Sequence, residues 1–264
     1  LSGDSDKPPV VTQFSYANCN NLTGIYIPYG TSEIGVGAFY GCSNMTSLVI
    51  PDTVTSIGDR AFYNCAKLAS RIDALGVETV GDEAFYGCTL LAQIRFTDCL
   101  RSIGQKAFYK CSSMTSAVLG SGLEVLGPEA FYGCSSVTSI RLPIAIKEIG
   151  HSTFYGCSAM TELVLPAQLE TIGNYAFYNC KKIYKLVIPD TVRTIGREAL
   201  GASALTELTI PFVGASAAPE ESEDIQPFGY IFSHTNSNQY AVEQYYYDTS
   251  EATYTAKTYY IPST

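Results

Sequence analysis

Apolar residues return along this chain on a beat of 23 residues. An aliphatic–glycine pair recurs at Ile34-Gly35, Ile57-Gly58, Val80-Gly81, Ile103-Gly104, Leu126-Gly127, Ile149-Gly150, Ile172-Gly173 and Ile195-Gly196. Next comes Phe39, Phe62, Phe85, Phe108, Phe131, Phe154 or Phe177, with Tyr16 and Leu200 on the same beat at the two ends. Three residues later stands Cys19, Cys42, Cys65, Cys88, Cys111, Cys134, Cys157 or Cys180. A short aliphatic run ending in proline follows, as in Leu48-Val49-Ile50-Pro51 and Leu186-Val187-Ile188-Pro189. A second apolar anchor closes each coil at Val54, Val77, Leu100, Leu123, Ile146, Leu169 and Val192. Self-similarity at this period predicts a solenoid, in which no coil buries its apolar side alone and stacked neighbours bury it together.

Within a coil, the pattern predicts two elements. The aliphatic run reads as a short strand, its first and third side chains facing in and its middle one out. The segment from Ile34 through Phe39 and Cys42 to Met45 reads as a short helix or 3₁₀ turn with one apolar face. Gly41, Asn64, Gly87, Gly133, Gly156 and Asn179 precede most of the cysteines, which suggests a left-handed cap there, with Lys110 the odd one out. The glycine after each Ile, Val or Leu implies positive φ or close packing against the next coil. Nine coils spaced by about 4.8 Å predict a stack roughly 43 Å long. Two coils look irregular. Arg71 and Asp73 fall on inward strand phases, which predicts a local bulge that turns Ile72 inward. The ninth coil is one residue short between Pro189 and Pro211.

The pattern IGxxAFxxCxxLxxLxIPxxV resembles the BspA-like class of leucine-rich repeats, found in surface proteins of bacteria and some protozoan parasites. The likeness covers about residues 11–211. It implies an exported, cell-surface protein of adhesive or recognition type. The expected fold is therefore an α/β repeat solenoid of leucine-rich-repeat type, with short parallel strands on one face and short helical or 3₁₀ segments on the other. Residues 1–10 read as a flexible lead-in and 11–211 as nine coils, the first a degenerate cap. Residues 212–264 read as an acidic loop, with Glu220, Glu221, Glu223 and Asp224, followed by a Tyr-rich irregular coil. In that coil Tyr259-Tyr260-Ile261-Pro262 matches the strand signature and is expected to rejoin the stack.

Composition narrows the function. A net charge of −9 argues against non-specific nucleic-acid binding, which needs a basic footprint. No apolar run of about 18 residues is present, so no membrane span is expected. The chain opens at Leu1 without Met or a basic-then-apolar leader, so any export signal is expected to have been removed. Cysteines 23 residues apart offer no metal-ligand pair. Their parallel Cβ vectors disfavour bridges between neighbours, which leaves a buried ladder of free thiols, while Cys99, off the beat in a turn, is the thiol expected to react. His151 and His234 lie in no catalytic motif, and no GxSxG, HExxH, phosphate loop or dinucleotide fingerprint appears. No enzyme activity, cofactor or metal is expected.

Three columns remain as surface candidates. Tyr40, Tyr63, Tyr86, Tyr109, Tyr132, Tyr155 and Tyr178 share one phase, either stacked on one another as core cover or forming an aromatic stripe for a glycan or protein. Thr55, Glu78, Arg101, Glu124, Lys147, Glu170 and Arg193 alternate in sign from Glu78 onward, which predicts pairing between coils and protection of register. The outward strand phase holds Val49, Arg95, Val118, Arg141, Val164 and Val187, together with Tyr26, Ile72 and Thr209. An apolar sheet face with two arginines set into it is unusual for plain solvent. The expectation is a monomeric extracellular recognition or adhesion module that binds a protein or glycan at the cell surface through an extended face. Its rival is a structural spacer that projects another domain and has no ligand of its own.

Overall fold

In the computed structural model of the protein, residues 10–211, 231, 239–248 and 253–262 are described. Each coil carries two short strands rather than one. The first kind comprises β1 (Val10–Val11), β3 (Glu33–Ile34), β5 (Ser56–Ile57), β7 (Thr79–Val80), β9 (Ser102–Ile103), β11 (Val125–Leu126), β13 (Glu148–Ile149), β15 (Thr171–Ile172) and β17 (Thr194–Ile195). The second kind is the predicted aliphatic run: β2 (Gly24–Tyr26), β4 (Ser47–Val49), β6 (Arg71–Asp73), β8 (Gln93–Arg95), β10 (Ser116–Val118), β12 (Ser139–Arg141), β14 (Glu162–Val164), β16 (Lys185–Val187) and β18 (Glu207–Thr209). Every strand pairs in parallel with its own kind one coil away, mostly in 23-residue register, as in Ile140↔Leu163 and Ile57↔Val80.

The predicted helical face is absent: no helix forms between the two strand ladders. The segment is a run of β-turns in which hydrogen bonds alternate. Ala38, Tyr40 and Cys42 donate N–H bonds back three residues, to Gly35, Gly37 and Phe39. Gly37, Phe39 and Gly41 donate forward to the carbonyls of Asp59, Ala61 and Tyr63 in the next coil. Two residues per coil take left-handed φ. One set is Gly41, Asn64, Gly87, Lys110, Gly133, Gly156 and Asn179, where the sequence places the cap. The other is Gly37, Arg60, Glu83, Lys106, Glu129, Ser152, Tyr175 and Glu198. A helix requires negative φ throughout and an N–H bond back four residues, so these turns exclude it. The apolar face itself is as expected, with Ile34, Phe39, Cys42 and Met45 all buried.

The glycine after each aliphatic residue has ordinary φ, and close packing is its reason. A Cβ at Gly81, Gly104 or Gly127 would lie 2.5, 2.6 and 2.5 Å from the backbone nitrogens of Asp59, Asp82 and Gln105. These nitrogens belong to a column of side-chain bonds: Asp82 N–H donates to Asp59 Oδ1 at 2.8 Å, and Gln105 N–H to Asp82 Oδ1 at 2.7 Å. Pro128 stands in that column and has no N–H to give. There the coils part: a Cβ at Gly150 would first meet Pro128 Cα, at 3.3 Å, and β11 and β13 do not pair with each other.

The irregular third coil behaves as predicted. Ile72 is buried and pairs with Ile94, while Arg71 and Asp73 point outward and bond to each other at 3.0 Å. Asp73, not Ile72, therefore occupies the outward column beside Arg95. The ladder breaks between β4 and β6, and the Ser70 hydroxyl is buried there without a partner. Beyond coil nine, Leu200 at the end of the Phe column donates its N–H to the carbonyl of Ile231 at 3.0 Å, and Ile231 is buried. The tail meets the stack at Ile231. Tyr259–Pro262, expected to be a coil strand, lies in β20 (Thr253–Pro262), which pairs antiparallel with β19 (Gln239–Asp248) as a hairpin. Residues 1–9 and the acidic loop lie outside the described residues.

Gly104→Ala is expected to lower stability by about 1–3 kcal/mol, because the methyl must displace backbone. Lys110→Gly is expected to raise it by up to about 1 kcal/mol, because a left-handed φ costs a residue with a Cβ about that much. Urea unfolding of both variants against the parent checks the pair, and opposite signs are required.

Candidate functional site

Two stacked columns run through the core, one of Phe and one of Cys. The Phe rings lie parallel, with centroids 5.3 Å apart for Phe39–Phe62 and 5.2 Å for Phe108–Phe131. From Cys65 to Cys180 each thiol in the Cys column donates to the Phe carbonyl of the preceding coil, as in Cys65 to Phe39 at 3.2 Å, Cys88 to Phe62 at 3.1 Å and Cys134 to Phe108 at 3.1 Å, and Cys42 donates to the Tyr16 carbonyl at 3.0 Å. That carbonyl already accepts a turn N–H, so the thiol fills its second lone pair. All nine thiols are free. Burial pushes Cys65, Cys134 and Cys180 up to about 12, and raises Cys88, Cys111 and Cys157 well above the usual range. Cys99 is exposed, as expected. Cys19 is exposed as well, because it ends the column at the open side of the first coil.

The tyrosine candidates form one unbroken file. Centroids are 4.8 Å apart for Tyr40–Tyr63, 4.6 Å for Tyr63–Tyr86, 4.7 Å for Tyr86–Tyr109, 4.5 Å for Tyr109–Tyr132, 4.6 Å for Tyr132–Tyr155 and 5.0 Å for Tyr155–Tyr178. Each ring is half-buried and gives its faces to its neighbours, leaving edges and hydroxyls outward. Burial, followed by the neighbouring phenols Tyr109 and Tyr155, pushes Tyr132 up to about 12.

The alternating charge column pairs at one step, Lys147–Glu170 at 3.3 Å. Arg101 turns instead to the carbonyls of Asp98 and Gly122, at 2.8 and 3.1 Å. A second alternating column, on the left-handed turn residues, pairs Arg60 with Glu83 at 2.6 Å and Lys106 with Glu129 at 3.5 Å. Its signal in the sequence was the +/− alternation one residue before Ala-Phe from Arg60 to Glu129.

The outward strand column is the exposed apolar feature. Val49, Val118, Val164 and Val187 are 51, 51, 63 and 54% exposed, and Arg95 and Arg141 stand exposed in the same row. Neither arginine makes an ion pair among the described residues. A cleft of about 570 Å³ opens beside Val118 and Arg141, lined also by Gly120, Ser121, Pro143 and Ile144. On the other side of the same coils, a groove of about 860 Å³ opens where Pro128 parts the ladder, near Val125, Ala145 and His151. No group of three or more His, Cys, Asp or Glu is placed to hold a metal among the described residues.

The family model for the BspA type leucine rich repeat region matches residues 10–135 and 101–215, with six copies. The chain belongs to the BspA-type leucine-rich-repeat family. Among solved structures it is similar to a leucine rich cell surface protein from Faecalibacterium prausnitzii A2-165, at 20% identity over 86% of this chain and 66% of that one, TM-score 0.49. The chain thus spans just under two thirds of that protein's length. It is also similar to the T. pallidum leucine rich repeat protein, at 27% identity over 62% of this chain and 69% of that one, TM-score 0.44. A third is a leucine-rich repeat protein from Bacteroides ovatus ATCC 8483, at 22% identity over 80% and 79%, TM-score 0.34. No curated protein matches the chain. The BspA-type repeat accounts for the columns described above, and the valine–arginine row is what this chain writes on its variable outward phase.

A thiol reagent is expected to modify two cysteines, Cys19 and Cys99, in the folded protein and all nine after unfolding. Raised thiols and phenols also set the alkaline limit. The unfolded groups ionise near their ordinary values of about 9 and 10, while Cys65, Cys134 and Tyr132 hold their protons to about 12 in the fold. Their contribution is complete below about pH 9 and is lost as pH rises to about 12. Denaturation midpoints measured from pH 8 to 12 under reducing conditions are expected to fall across that window.

Proposed function

We propose that this protein is a cell-surface recognition module that binds a macromolecular partner through the strand face. The observation that carries the reading is the row of four valines, each more than half exposed, with two unpaired arginines set among them. A row of this kind costs solubility unless something covers it. The BspA-type family supports a protein-interaction or surface role. An extracellular location rests on the same family membership, as does the choice of recognition over catalysis.

The strand face ranks ahead of the tyrosine file. Tyr40, Tyr63, Tyr86, Tyr109, Tyr132, Tyr155 and Tyr178 spend their ring faces on one another, and sugar recognition by aromatics uses the face. A protein is therefore favoured over a glycan as partner. The spacer reading keeps one observation of its own: the turn side is self-satisfied, with stacked rings and paired charges that ask for nothing further.

Purified protein screened against extracellular-matrix proteins and a glycan array, alongside the Arg95→Glu/Arg141→Glu variant, tests the reading. A saturable protein hit that the variant loses is expected. A hit that survives charge reversal would move the site off the strand face, and no hit at micromolar concentrations would favour the spacer.

A further inference from the structure

Resting on the strand-face reading and deepening it, we propose that the cleft beside Arg141 binds an extended peptide segment in which a carboxylate side chain sits close to an aliphatic one. The cleft has a cause in the sequence. Where two other coils turn through Pro-Asp-Thr-Val, at residues 51–54 and 189–192, coil five turns through Gly120-Ser121-Gly122-Leu123. Gly120 has φ +69, and a Cβ on it would collide with the Thr97 carbonyl; one on Gly122 would collide with that of Asp98. Two glycines let this turn sink onto coil four, and Ser121 N–H holds it there through Asp98 Oδ1 at 2.7 Å. The turn of coil six does not follow. Ile144 stands proud, 60% exposed, beside the buried Pro143, and the step between the two turns is the cleft of about 570 Å³.

Its chemistry follows from what lines it. Val118, Pro143 and Ile144 supply an aliphatic floor and wall, and no aromatic ring is present for a sugar to lie on. Arg141 stands at the rim, and Arg95 follows on the far side of Val118, two coils or about 10 Å away. Ser121 and Ser139 offer hydroxyls. Two acids lie near: Asp73, beside Arg95 in the same column, is taken by Arg71 at 3.0 Å, and Glu162 stands opposite Ser139 in the other outward column; neither pairs with Arg95 or Arg141 among the described residues. On a chain of net charge −9, the Arg141 guanidinium, set between Val118 and Val164, makes a local cationic spot inside an apolar row. An unpaired arginine fork is complementary to a carboxylate, and the valines beside it exclude water that would otherwise screen the pair. The neighbouring floor takes one aliphatic side chain of the same strand.

Fluorescein-tagged, N-acetylated hexapeptides with one central Asp or Glu among Leu, Ile and Val test this by fluorescence polarisation, with Asn and Gln twins as controls. Acidic peptides are expected to bind about tenfold tighter than their amide twins. Arg141→Gln should erase that preference, and Ser121→Trp, which fills the cleft from an exposed position, should abolish binding. Lys182→Ser, at an exposed turn position away from the strand face, should leave both unchanged, with circular dichroism confirming the fold of each variant. No binding by acidic peptides up to about 1 mM overturns the proposal, as does a preference that survives Arg141→Gln. A matrix protein lost on double charge reversal yet indifferent to Ser121→Trp would keep the strand face and overturn the cleft.

Discussion

Hydrogen bonds that run from coil to coil at a fixed offset hold this protein together, and the rest of the structure obeys them. Phe39 N–H reaches Ala61, Gly58 N–H reaches Ile34, and Glu78 N–H reaches Thr55. With the backbone tied in this way, each side chain sits on its like one coil away. Rings meet rings at about 5 Å, thiols meet carbonyls, and aliphatic residues fill one continuous core. The same rule applies to charges, where like on like is unfavourable. Two columns answer by alternating sign, in pairs such as Arg60–Glu83 and Lys147–Glu170.

The tie also sets the cost of each position. The coils approach so closely that Gly81, Gly104 and Gly127 have no room for a Cβ. The turns demand left-handed φ twice per coil, and Lys110, Glu83 and Tyr175 accept it without being glycine. Stacking energy from the Phe and Tyr files offsets that strain. Where one member cannot conform, the ladder opens locally instead of failing: Pro128 parts two strands, and the extra residue before Ile72 makes a bulge. The surface features of interest arise from such departures.

Coil length, the buried columns, the strand phases and the bulge at Ile72 were all legible in the sequence, because each follows from apolar spacing. The turn segment was misread as helical. Ile34, Phe39, Cys42 and Met45 share a face in a helix and equally in a run of β-turns. What separates the two is whether Phe39 N–H bonds back along the chain or across to Ala61, and the local sequence does not contain that neighbour. The strands β3, β5 and their kin were missed for the same reason: two residues are too short for alternation to show. Of the candidate site, the valine–arginine row was readable, since outward phase follows from inward phase. The cleft was not, because it depends on how far Gly120 and Gly122 let one turn sink relative to the next. The tail hairpin hid behind a Tyr-Tyr-Ile-Pro ending that copies the repeat.

The two sides of the solenoid therefore differ in what they leave undone. The turn side closes on itself through stacked phenols and paired charges. The strand side leaves valines bare and Arg95 and Arg141 without partners among the described residues. The most direct test is amide hydrogen exchange of the protein with and without a saturating bound partner. The account predicts added protection confined to Gln93–Arg95, Ser116–Gly122 and Ser139–Ile144. Protection centred on the turns that carry Tyr86, Tyr109 and Tyr132, with the strand face unchanged, would contradict it.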